Sequence, residues 1–334
     1  MHRRSLLRAA GLAVPLYVLD GFDEALALLP SPARTPTAVG LSAEYRTARA
    51  LFDKGAHTEL VTMLPALLAT AQDRADAGDA ADFARLAGCY DLATEALSKI
   101  GRYSASRITA DRSHTYARLS GSLLAAAASA RTFSIVLRHE DRADTAQRVT
   151  LDAAARIEAT GLTAPAQAAA FAQMLCTVAY SAAQAGDRAR ARARDRALEM
   201  IGDAERAAAL LPDQPAGPLH SLSVTPASVT LYKVGVLWSL GDAGAAVHTG
   251  RNLHPAQFPT AERRGRLHTH LARAWWQWGK AEQTAHALLA AHRAAPSEVR
   301  DRPGIRSLVT DLAERHPRTS GVRELVAATH IRPA

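Results

Sequence analysis

LHTHLARAWWQWGKAEQTAHALLAAHRAAP, residues 267–296, carries the helical pattern of this chain in its clearest form. Leu271, Ala272, Trp275 and Gly279 recur at helical spacing and close a first helix, while Leu288, Ala291 and Pro296 mark a second and its stop. Gly279 supplies the turn, and small residues stand where the two helices must touch. The stretch reads as one helical hairpin.

Working outward, the same template fits SVTLYKVGVLWSLGDAGAAVHTG around Gly241 and FAQMLCTVAYSAAQAGDRARA around Gly186, with Ala246 and Ala191 at the small position of the second helix. It fits EYRTARALFDKGAHTELVTMLPALL around Gly55 and FARLAGCYDLATEALSKIGRYS around Gly101 more loosely. In LLAAAASARTFSIVLRHEDRADTA, Asp141 stands where the glycine would be. The series resembles the tetratricopeptide repeat, whose period is about 34 residues. No single hairpin can bury its apolar face, so neighbours stack. The expected fold is all-α: a right-handed tetratricopeptide-like solenoid of about six to seven hairpins over residues 39–334. Residues 304–330, GIRSLVTDLAERHPRTSGVRELVAATH, read as a helix pair capping its open end. PDQPAGPLHSLSVTP, residues 212–226, reads as a loop between consecutive hairpins.

Composition agrees with helix: the chain is rich in alanine, leucine and arginine and only 5% aromatic. Cys89 and Cys176 lie far apart within helical patterns, which excludes a disulfide framework or a CxxC pair. A formal charge of +8 points to an acidic partner. No segment reaches the roughly 18 apolar residues of a membrane span.

LATEALSKIGRYSASRITADRS, SVTPASVTLYKVGV and LARAWWQWGKAEQTAHALLAAHRAAPSEVRDRPGIRSLVTDLAER carry a further resemblance. Over residues 79–330 the chain is similar to the repeat arrays of actinobacterial Cro/C1-type helix-turn-helix transcriptional regulators. Family members commonly have Asn and His where Ser228 and Tyr232 stand here. The family's N-terminal helix-turn-helix is not expected within these residues. The resemblance implies a cytoplasmic regulatory sensor that binds a peptide or protein partner in a concave groove and works with a separate DNA-binding protein. Residues 1–38, opening MHRRSLLRAAGLAVPL, then read as the junction to a DNA reader. The alternative is a twin-arginine export signal built on Arg3 and Arg4, but Arg8 interrupts its apolar region and Asp20 and Asp23 end it early.

In such arrays the first helix of each hairpin lines the groove. Aligning on Gly279 places Arg266, Thr269, Arg273, Trp276 and Gln277 there; on Gly241, Ser228, Trp238 and Ser239; on Gly186, Gln173, Tyr180 and Gln184. Aligning on Asp141 gives Arg131, Arg138 and His139, and on Gly101, Asp91, Glu95 and Lys99. From these, Arg131, Arg138, Tyr180, Gln184, Trp238, Arg266, Arg273, Trp276 and Gln277 are the candidate partner-binding residues. Arginine forks pair carboxylates, amides satisfy a peptide backbone, and tryptophan supplies apolar area with few rotors to freeze. A peptide with an acidic or free C-terminal end is the implied ligand.

Trp275 and Trp278 read as core, DRARARARDR (187–196) as a solvated face with local ion pairs, and His139-Glu140-Asp141 as a turn. His268 and His270 lack metal-site spacing. There is no GxSxG, Walker or GxGxxG pattern, so neither a catalytic set nor a cofactor is expected. The alternatives to a sensor are a passive scaffold holding two proteins together and an exported binding protein; a homodimer of the array is a candidate assembly. Direct nucleic-acid contact is the weaker reading of the arginines.

Overall fold

Among the described residues every regular element is a helix. The computed structural model describes residues 14–32, 37–184, 190–209, 211–212, 222 and 224–330. In chain order the α-helices are α1 (Leu16–Ala27), α2 (Ala38–Lys54), α3 (His57–Ala75), α4 (Ala80–Lys99) and α5 (Tyr103–Leu119). They continue with α6 (Leu123–His139), α7 (Ala143–Glu158), α8 (Pro165–Ala183), α9 (Arg190–Ala208), α10 (Pro226–Ser239) and α11 (Ala243–Gly250). The last five are α12 (Ala261–Gln277), α13 (Ala281–Ala294), α14 (Pro296–Arg300), α15 (Pro303–Arg315) and α16 (Val322–Thr329). None is long and apolar enough to cross a membrane.

Local chemistry sets the boundaries. Thr37, Ser122, Thr225 and Thr260 each accept a hydrogen bond from the backbone N–H three residues on, which satisfies one orphan donor at the start of α2, α6, α10 and α12. The predicted hairpin turns at Gly55, Gly101, Gly241 and Gly279 are left-handed, and Asp141 takes the same conformation with φ 57°. Gly186, the opening thirteen residues and most of the Pro-rich loop lie outside the described residues.

The chain divides into two compact units. The first comprises residues up to Asp82, Leu92–Ile108 and Pro259 onward; the second comprises Phe83–Asp91 and Thr109–Phe258. Helices α4 and α5 contribute residues to both.

In the first unit α12 and α13 form the hairpin of residues 267–296. Leu288, Ile305, Val309, Leu312 and Leu325 are fully or almost fully buried in one cluster of α13, α15 and α16. The closing pair of helices is therefore present, and its apolar faces are covered. The same unit holds something an open stack would not: α2, from the first hairpin, packs against α12. Helix α1 buries Val18, Leu19 and Phe22 and packs on α3.

In the second unit α6, α7, α8 and α9 pack each on the next, and α8 also meets α6 and α10. This next-but-one contact is what stacked hairpins produce. The unit's apolar core comprises one cluster with Ile157, Met174 and Leu222 and another with Leu175, Ile201, Val229 and Val236. Alanine dominates these buried clusters. Cys89 and Cys176 are buried and unbridged.

Candidate functional site

Two places concentrate chemistry, one in each unit. In the first unit a charge network lies inside the protein. Lys99 ends α4 as a first helix ends, pointing its ammonium at Glu262 of α12 at 2.7 Å and at Glu298 of α14. Glu298 also accepts from Arg302 at 2.9 Å and lies 3.6 Å from Arg266, which itself reaches Glu262 at 3.2 Å. Arg302 donates to the Thr269 hydroxyl. Glu262 and Glu298 are 4% and 1% exposed, so water contributes almost nothing to their solvation.

Gly265 makes this possible. A Cβ there would stand 3.0 Å from both Ala295 Cβ and Glu298 Cγ, so the missing side chain is what lets α12 and α14 bring their carboxylates together. Beside the network Arg49 of α2 bridges Asp53 at 2.8 Å and Glu95 at 3.0 Å, with its guanidinium 4.5 Å from the centre of the Phe52 ring. His57 of α3 meets the buried Asp301 carboxylate at 2.5 Å.

Burial alone would push the Glu298 carboxyl up, but Lys99, Arg302 and Arg266 outweigh it and hold it at about 2. Glu262 is held well down by Lys99, Arg263 and Arg266 against the same burial. Burial pulls the Lys99 ammonium down, with Arg266 and Arg302 acting in the same direction and the two carboxylates opposing.

His270, buried in this neighbourhood, is pushed well below the ordinary histidine value by burial first, then by Arg266, Arg302 and Arg273; Glu262 opposes weakly. His268 is lowered by burial and Arg293. Both are therefore neutral in the folded chain where an unfolded chain would bind protons. Their contribution to stability is fully present above the unfolded histidine value, about 6.5, and is lost as pH falls below it. The melting temperature should accordingly drop between pH 7.5 and 5.5, and His270→Asn should flatten that drop. A wild-type profile level across this window would refute the assignment.

The second place is an open cleft of about 410 Å³ in the second unit. Its walls are α5 and α7, and its floor is the start of α6. His114 and Arg118 stand one turn apart on α5, and Arg148, Asp152 and Arg156 one turn apart on α7. Ala126, Ala127, Ala130, Leu123, Val149 and Ala153 line the space between them with hydrocarbon. Arg118 and Arg156 are exposed and, among the described residues, face no carboxylate within ion-pair distance; Arg148 bonds only the Thr145 hydroxyl. His114 stacks on Phe133 with ring centres 5.8 Å apart, and burial together with Arg118 lowers its pKa.

The nine groove candidates from the sequence divide between the units. In the second unit Arg131 is buried, whereas half-buried Arg138 donates to the Ser134 and Ser181 hydroxyls at 3.2 and 3.1 Å and lies over the Tyr180 ring at 5.4 Å. Trp238 is half-buried and Gln184 exposed. In the first unit Arg266 belongs to the charge network, and Arg273 lies close to Gly304. Trp276 packs on the α13–α16 cluster with His316 edge-on and Arg315 5.8 Å from its ring centre, while Gln277 is exposed.

Lys99, Arg266 and Thr269 are thus linked through Glu262, Glu298 and Arg302 of the same chain, none of which the shared register includes. The expectation that Trp275 and Trp278 are core needs correction: they stack on one another at 5.6 Å, and Trp278, past the helix end beside the Gly279 turn, is 48% exposed. In the described part of the Arg-rich run, Arg194 pairs with Asp242, 48 residues further along the chain, at 3.1 Å.

Sequence reasoning missed the cleft because its arginines sit on second helices, away from the face being searched. It missed Glu262 and Glu298 although Glu298 and Arg302, four apart in PSEVRDRP, carry the spacing of a helical ion pair.

No known protein family and no curated protein matches the chain. Among solved structures, one titled "Structure of Naa15/Naa10 bound to HypK-THB" aligns over 88% of this chain at 12% identity with a TM-score of 0.23. This chain spans 45% of the length of that one, and a similarity of this size assigns neither partner nor activity.

Proposed function

We propose that the protein is an interaction scaffold that holds an acidic segment of a partner protein. The observation that carries the reading is the α5–α6–α7 cleft, where three arginines surround a hydrocarbon floor and, among the described residues, none lies within ion-pair distance of a carboxylate. Unpaired guanidinium groups at the rim of an apolar cleft accept carboxylates with two parallel hydrogen bonds and reject like charge. The reading includes the right-handed tetratricopeptide-like stack of six to seven hairpins and assigns the chain no catalytic step. A link to transcriptional regulation, through a DNA-binding partner, is supported by the sequence resemblance over residues 79–330 alone.

The test is binding of a fluorescein-labelled acidic peptide, measured by anisotropy. The double variant Arg118→Glu/Arg156→Glu should weaken it at least tenfold, whereas Arg323→Glu, an exposed arginine of the first unit, should leave it unchanged. Equal affinity of wild type and double variant would sink the reading.

A further inference from the structure

We infer that the partner segment is an amphipathic α-helix with acidic flanks, lying along the cleft between α5 and α7 on the side of the second helices. The inference rests on the scaffold reading and goes beyond it in stating the ligand's conformation and pattern.

The floor decides the conformation. Every residue of α6 that lines the cleft is Ala or Leu, and the lower walls add Ala117, Val149 and Ala153. None of these side chains donates or accepts a hydrogen bond. An extended peptide laid on this surface would lose water from backbone N–H and C=O groups and find no partner for them in the floor, a penalty repeated along its length. A helix satisfies those groups internally and presents only side chains to the floor, which is the helix-in-groove mode of recognition.

The walls decide the pattern. Arg148 and Arg156 are eight residues apart on α7, so they are separated by about 12 Å, a little over two turns. Arg118 stands on the opposite wall. A bound helix then carries carboxylates about two turns apart on one flank and a further carboxylate on the other, with small or aliphatic residues at i, i+3, i+4 and i+7 between them. Asp152, midway between the α7 arginines, disfavours a carboxylate at the intervening turn and so fixes the register. A cleft of about 410 Å³ takes in one row of side chains and leaves the ligand's outer face in water.

Three 20-residue probes of equal charge test this against intact protein. The first is amphipathic with Glu on both flanks, the second has the same composition scrambled, and the third is the amphipathic probe with two central prolines. The amphipathic probe should bind at least tenfold tighter than the other two. Ala126→Leu, which fills the half-buried floor while leaving all three arginines, should remove that advantage. Equal binding of all three probes, abolished by Arg118→Glu/Arg156→Glu, would overturn the helix inference and leave an acidic-segment scaffold standing. Failure of every probe would overturn both. Tighter binding of a single-stranded DNA oligomer at the same arginines, weakening steeply with salt, would replace the protein ligand with a phosphate backbone.

Discussion

Glu298→Gln should destabilise the first unit by about 3–5 kcal/mol, the cost typical of removing one partner from a buried ionic network. The substitution preserves volume and shape, so the loss is electrostatic. Lys99 and Arg266 would then keep Glu262 as a buried carboxylate partner, and Arg302 would lose the carboxylate it pairs with. Urea unfolding followed by tryptophan fluorescence is the appropriate measurement, because three of the four tryptophans, Trp275, Trp276 and Trp278, lie at or just past the end of α12 and report on this unit. Combining Glu298→Gln with Lys99→Met removes a positive charge along with the negative one and should recover more than 1 kcal/mol of the loss, on the order expected of directly coupled groups. Simple additivity of the two changes would mean that the network is no more than crowded.

Gly101→Ala is expected to cost about 2–4 kcal/mol through two effects of similar size. At φ 79° an alanine is strained wherever it stands, and here its Cβ would also meet the Pro303 ring at 2.8 Å. A proline ring at the start of α15 cannot swing aside as a flexible side chain would. Gly241 provides the internal comparison: its φ is 87°, but nothing lies within 4 Å of the added carbon, so Gly241→Ala should show the conformational cost alone, about 1 kcal/mol. Equal losses at the two sites would argue that Pro303 and the Gly101 turn do not constrain one another.

Local features of the fold were legible in the sequence, and long-range ones were not. Glycines between helical patterns located the turns at Gly55, Gly101, Gly241 and Gly279 because a left-handed residue is a requirement of the backbone there. Asp141 was legible as a substitute, since a short polar side chain tolerates that conformation. Pro296 marked the end of α13 by the same kind of local constraint. Lys99, however, meets carboxylates 163 and 199 residues away in sequence, and no periodicity within one hairpin encodes such a pairing. A register that lines up first helices brings Lys99 and Arg266 to one face but cannot say whether that face is wet. The cleft was illegible for another reason: an alanine-rich helix shows small residues on every side, so the floor at Ala126, Ala127 and Ala130 looks like any other packing surface until its neighbours are in place.

The charge network also sets an order of events. Its members come from chain positions near 99, 262 and 298, and α2 rests against a helix that begins at Ala261. A ribosome adding about 5–20 residues each second exposes the first hairpin many seconds before its permanent neighbours exist. Local hairpins of the second unit can form during that interval, since their contacts are close in sequence. The first unit cannot be completed until the last quarter of the chain has been made. The ammonium of Lys99 therefore spends that period in water, and its burial is a late step that only a nearly finished protein can take.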